Sequence, residues 1–113
     1  MKPQTAKRAS GNRARRVAET ALGRDEDGMG SCWNCGRFTY VNGHERLGRS
    51  QGGDPTNPDC LLCVPCNRWC EDNPMDAAFE GWKISGKHAR DPALEPWQAW
   101  NINNIIVTFA DPS

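Results

Sequence analysis

Two Cys-x2-Cys elements, CWNC at Cys32 and Cys35 and CVPC at Cys63 and Cys66, stand twenty-seven residues apart in a chain of 113. Spacing of this kind brings two knuckles onto one tetrahedral ion, and a zinc ion is the expected occupant. The consequence for folding is large. With 37% hydrophobic residues and a mean hydropathy of -0.76, the chain has little apolar surface to bury. Small cores of this sort usually need a metal or disulfides to be stable. A second register, with Cys60 and Cys63 as the later pair, stays open on spacing alone. Cys63 with Cys66 is preferred, because Pro65 marks a helix start and amides at a helix start favour a thiolate. Cys60 and Cys70 then remain as small buried hydrophobes.

Charge is unevenly spread. Residues 1–24 carry seven basic side chains (Lys2, Lys7, Arg8, Arg13, Arg15, Arg16, Arg24) against Glu19 alone, although the whole chain is formally neutral. A basic arm on an acidic body suits contact with nucleic-acid phosphates, and it equally suits a solvated tail. No apolar run approaches the roughly 20 residues that cross a bilayer, and the first residues lack the apolar stretch of a secretory signal, so a cytoplasmic location without membrane contact is expected.

The pattern along the chain predicts a small zinc-stabilised α+β domain in three parts. A basic arm with a short helix over residues 13–22 and a flexible connector over 23–30 comes first. A zinc domain follows over 31–90, and an extension with one strand closes the chain over 91–113. Phe38 to Val41 is β-branched and aromatic and reads as a strand. Residues 48–59, with three glycines and two prolines, read as loop. CLLCV reads as a return strand, and PCNRWCED as a helix that Asn73-Pro74 redirects. MDAAFEGW reads as a further helical turn or two ended by Gly81, and IIVTF, residues 105–109, as a terminal strand. Trp33, Trp69 and Trp82 are expected in the core. His88 carries no assigned role.

Asn67 and Glu71 lie one helical turn apart on one face. If the strand end bearing His44 and Glu45 crosses that face, His44, Asn67 and Glu71 can converge on one ion. An oxygen-rich set with one imidazole suits Mg2+ or Mn2+. The plainer alternative is an exposed polar helix face.

The motifs CWNC, HERLGRSQGG, PDCLLCVPCNRW, EDNP and GW, spanning about residues 32–85, resemble the HNH endonuclease family, the ββα-metal nucleases, in its short phage and actinobacterial forms. The resemblance implies a structural zinc on Cys32, Cys35, Cys63 and Cys66 and a second, catalytic metal between hairpin and helix. It makes His44 a metal ligand and places Glu45 where the family usually has its general-base histidine. Cys60 stands at the usual asparagine, Asn67 at the final motif histidine and Glu71 at a further histidine. Arg46, Arg49 and Arg68 flank the motif as candidate contacts to the phosphate backbone of DNA, with solvated charges as the alternative. The implied activity is divalent-metal-dependent hydrolysis of phosphodiesters in a bacterial or phage-infected cell. Two rivals stand beside it: a catalytically lapsed module that binds DNA or a protein in packaging or host takeover, and a zinc protein concerned only with protein contacts.

Overall fold

The computed structural model describes residues 6–47, 54 and 56–110, with side chains in the first helix from residue 12 onward. Its elements run α1 (Ala6–Ala21), β1 (Met29–Ser31), β2 (Phe38–His44), β3 (Cys60–Cys63), α2 (Val64–Asp72), α3 (Pro74–Phe79), β4 (Gln98–Trp100) and β5 (Ile106–Thr108). β2 is the central strand of a three-stranded antiparallel sheet ordered β1-β2-β3, and β4 and β5 form a separate antiparallel pair. The architecture is a small α+β fold.

β2 runs three residues past the expected FTYV segment, which carries His44 to the strand end opposite Cys60. β3 has no solvent face at all: Cys60, Leu61, Leu62 and Cys63 are all buried. Continuous apolar character of this kind marks a strand covered on both sides. α2 follows β3 without a loop. Pro65 sits in its first turn, where a missing N–H costs nothing, and the helix stops at Asn73 before Pro74.

The helix in the basic arm is longer than the expected 13–22 and begins at Ala6. Part of the expected connector is β1, held by Asp25, whose Oδ1 accepts the N–H groups of Asp27 and Met29. The extension after residue 91 supplies β4 as well as the expected terminal strand.

One core gathers all of this. Trp82 is fully buried, and Phe109 from the C-terminal segment packs edge-on to it at 5.6 Å while lying parallel to Trp33 at 5.9 Å. Trp69 and Trp33 are half-buried against the same cluster. The three tryptophans are therefore core or core-lining residues, as their size suggests.

α1 closes an exposed sheet edge with side chains. Val41 and Gly43 turn their backbone groups away from β3, toward a side where β1 pairs only as far as Tyr40 and Gly28 just before it accepts the Val41 N–H at 2.9 Å. There the Gly43 N–H donates to Glu19 Oε2 at 2.6 Å, the Gly43 carbonyl accepts from Arg15 Nη2 at 2.7 Å and the Val41 carbonyl accepts from Arg24 Nε at 2.8 Å. An open edge would leave these groups seeking partners. Gly43 is needed because the strand runs tight against the incoming loop. A β-carbon there would lie 2.7 Å from two ring carbons of Pro58 and 3.1 Å from Glu19 Cγ. Gly43→Ala is expected to cost about 1–3 kcal/mol through overpacking, read as a lowered urea midpoint with an unchanged slope.

Candidate metal centre and the neighbouring polar cleft

The sulfurs of Cys32, Cys35, Cys63 and Cys66 all lie within 4.8 Å of one another. The first knuckle is a tight turn: Gly36 N–H donates to the Cys32 carbonyl at 2.8 Å and Cys32 N–H to the Arg37 carbonyl at 2.9 Å. Gly36 has φ of 76°, a left-handed conformation that suits glycine. Trp33 N–H donates to the Leu61 carbonyl at 2.9 Å and ties this knuckle to β3. The second knuckle is built by the junction of β3 and α2, with Cys63 at the helix N-cap and Cys66 in the first turn.

The set fits a metal ion such as zinc. A tetrahedral ion with sulfur at 2.3 Å implies sulfur pairs about 3.8 Å apart, and Cys35 and Cys63 are separated by 3.8 Å. Donor chemistry agrees: four thiols converge, and Asn34 Nδ2 donates to Cys66 Sγ at 3.5 Å, a supporting contact of the kind that orients metal ligands. Electrostatics divide the four. Burial works to raise the Cys32 thiol, but hydrogen bonds from the backbones of Cys35, Cys63 and Asn34 outweigh it and leave that thiol more acidic than usual. Burial dominates at Cys63 and Cys66 and pushes both up. A cation at the centre favours the thiolate form of each.

The competing register fails on geometry, since Cys60 is not part of the cluster. Cys60 and Cys70 are both buried. Burial pushes Cys60 well up and Cys70 to about 12, so both are neutral, inert thiols that pack as hydrophobes.

At the far end of the hairpin, β2 delivers His44 to α2. Its Nδ1 lies 3.2 Å from Asn67 Oδ1, and its Nε2 lies 2.7 Å from the Trp82 carbonyl. Only an N–H can satisfy a carbonyl, so Nε2 carries the proton. In the neutral imidazole, Nδ1 is then a lone pair facing the Asn67 amide oxygen, itself an acceptor. Two acceptors at this distance need something positive between them: a proton on Nδ1, the amide turned to present its NH2, or a cation held by both.

The other expected site residues are placed differently. Glu45 is half-buried and ion-paired with Arg15, its Oε1 2.6 Å from Nη1. Glu71 is exposed and makes no hydrogen bond or ion pair among the described residues. His44, Glu45 and Glu71 do not form a group of three ligand atoms within 4.8 Å of one another. Arg68 is exposed on α2 and lines a groove with Val64, Pro65 and Trp69. Arg49 lies outside the described residues.

Arg46 departs furthest from a free phosphate contact. It is only 5% exposed. Its Nε donates to the Gly81 carbonyl and its Nη2 to the Pro96 carbonyl, while the guanidinium lies 4.3 Å over the Phe109 ring. Burial lowers its pKa, with Asp59 opposing and Arg90 adding to the effect. Two of its three nitrogens are thus engaged, one on the turn after α3 and one on the C-terminal segment.

Sequence reasoning did not single out Arg15, Glu19, Arg24 or Asn34. Arg15 and Glu19 stand four apart, a spacing that puts both on one helix face, and Asn34 lies inside the first knuckle; those were the available signals. Of the arm's cations, Arg15 and Arg24 are committed to the sheet edge, whereas Arg13 and Arg16 are exposed. Among the described residues no helix is long and apolar enough to cross a membrane. No family model, curated protein or solved structure matches this chain.

Proposed function

We propose that this chain is an HNH-like, zinc-stabilised protein that cleaves DNA with a divalent ion such as Mg2+ or Mn2+ held beside His44 and Asn67. The single observation behind this reading is the 3.2 Å approach of His44 Nδ1 to Asn67 Oδ1, with Nε2 donating to a backbone carbonyl. A metal-binding imidazole commonly gives its other N–H to a carbonyl, which fixes the tautomer and leaves a lone pair for the ion. Neighbouring ligands of an octahedral ion at 2.1 Å stand about 3 Å apart, so the pair has the right spacing. An ion there would stabilise charge developing on the scissile phosphate and its leaving oxygen.

This chain's own residues supply the rest. The four thiols join the hairpin to α2, so that the strand end and the helix face stay opposed. Trp82 orients the imidazole, and Glu45, next along the chain, is the candidate base for an attacking water. The exposed Arg13, Arg16 and Arg68 supply salt-dependent attraction to the phosphate backbone.

One contact favours the second reading, a lapsed module that only binds DNA or a protein. The Glu45 carboxylate is held by Arg15 at 2.6 Å, so the oxygen nearest that guanidinium is already occupied and is not free to hold an attacking water. Plasmid nicking separates the two. With Mn2+ or Mg2+, the parent is expected to nick supercoiled DNA and both His44→Ala and Asn67→Ala to lose at least about tenfold in rate, with Glu45→Gln lower as well. Equal rates in all four proteins, or none in any, would remove the enzyme reading and leave binding, scored by retention of labelled duplex at low salt.

A further inference from the structure

A second polar cavity, of about 220 Å³, opens where the chain leaves the core after Trp82, and Arg46, Lys83, Ser85, His88 and Arg90 line it. No carboxylate is among its lining residues. The side chains of Lys83, His88 and Arg90 make no hydrogen bond or ion pair among the described residues. Three basic side chains therefore gather around one hollow that no carboxylate lines.

Arg46 forms the floor. Its Nε and Nη2 are bonded to Gly81 and Pro96, but Nη1 makes no hydrogen bond among the described residues. Every fully buried side-chain nitrogen or oxygen among the described residues has a partner, so Nη1 is not sealed in. An arginine that is 5% exposed, anchored through two nitrogens and open through the third, is a rigid donor. The rim is positioned too. Ile84 N–H donates to the Arg46 carbonyl at 2.8 Å, and Leu47 and Ile84 form an isolated parallel bridge. These contacts hold the segment bearing Lys83 and Ser85 against the strand end that carries Arg46.

We propose that this cavity is a binding site for a phosphate-class oxyanion, with Arg46 Nη1 as the fixed donor and Lys83, Ser85, His88 and Arg90 closing around the anion. A compact tetrahedral anion matches convergent donors of this type, since charge-assisted hydrogen bonds to several oxygens act together in a partly dry setting. The anion is either free phosphate or the terminal phosphate of a nucleic-acid strand. The site stands on its own residues and does not depend on cleavage, because a chain that cuts nothing would still bind there.

Titration calorimetry with inorganic phosphate, against chloride at matched ionic strength, tests the proposal on the full chain. Saturable binding of one phosphate per chain is expected, together with at least about tenfold weakening in the Lys83→Gln, Arg90→Gln double variant. Both positions sit at the rim, so this variant avoids removing the buried Arg46; circular dichroism confirms its fold. Short oligonucleotides with and without a 5′-phosphate identify the source. Preference for the phosphorylated strand, lost in the double variant, assigns the site to nucleic acid, and a response to inorganic phosphate alone assigns it to the free anion. A parent that fails to distinguish phosphate from chloride overturns the proposal, as does a double variant that binds phosphate as well as the parent.

Discussion

Stripping the ion from the four-thiol centre is expected to abolish cooperative folding of the whole chain. The centre joins the turn after β1 to the junction of β3 and α2, and Cys32 and Cys63 belong to the same buried cluster as Trp82 and Phe109. Binding free energy at structural zinc sites of this class is on the order of 10–16 kcal/mol, as large as the whole margin of roughly 5–15 kcal/mol by which domains are stable. A chelator that removes the metal should therefore collapse the dispersed amide spectrum, and added zinc should restore it. Cys66→Ala should reproduce the loss. Cys60→Ala should keep one metal per chain and lose stability only through packing, by about 1–2 kcal/mol. A metal-free chain that still unfolds cooperatively at the same temperature would show that the thiols are not the keystone.

Glu19→Ala carries the second large effect. Glu19 is 4% exposed, accepts the buried Gly43 N–H at 2.6 Å and lies 3.9 Å from both Arg15 and Arg24. Its removal leaves an inward amide without an acceptor and two guanidiniums without their shared anion. An unsatisfied buried group costs about 1–3 kcal/mol. Breaking a fully buried ion pair costs about 3–5 kcal/mol, and partial exposure of both arginines reduces that contribution. A loss of about 3 kcal/mol is expected, visible as a fall in Tm of roughly 10 °C. Glu19→Gln keeps an acceptor for Gly43 and should lose about half as much. A Tm within 2 °C of the parent for Glu19→Ala, on the order of 0.5 kcal/mol, would mean that α1 does not hold the sheet edge.

The same contacts bear on how the arm is used. Arg15 bridges Gly43 and Glu45, so the helix that closes the sheet edge also neutralises the carboxylate next to His44. Docking of the arm thus uses one face of α1 and leaves Arg13 and Arg16 outward.

Local chemistry was legible where residues a few positions apart settle the outcome. The knuckle spacing, the glycine after it, Pro65 at a helix start, the Asn73-Pro74 break and the β-branched run near the C-terminus each imply an element through short-range sterics or ligand geometry. The approach of His44 to Asn67 was also within reach, because strand, helix and thiol centre leave few ways to pack. Arg46 and Glu45 were not legible. Each reads in the chain as one more charged residue beside a motif, and whether it meets phosphate or protein depends on partners 30 to 50 residues away.

By itself, the order of amino acids determined that four thiols would meet in a set able to hold an ion and that a hairpin would lead straight into a helix, since spacing and turn chemistry act locally. Only the tertiary structure decided which charges are spent. Packing α1 and the C-terminal segment against the sheet tied Arg15, Arg24 and Arg46 to protein partners and gathered Lys83, His88 and Arg90 around one hollow. Burial sets the worth of a charge, and burial is a property of the assembled fold rather than of any short stretch of chain.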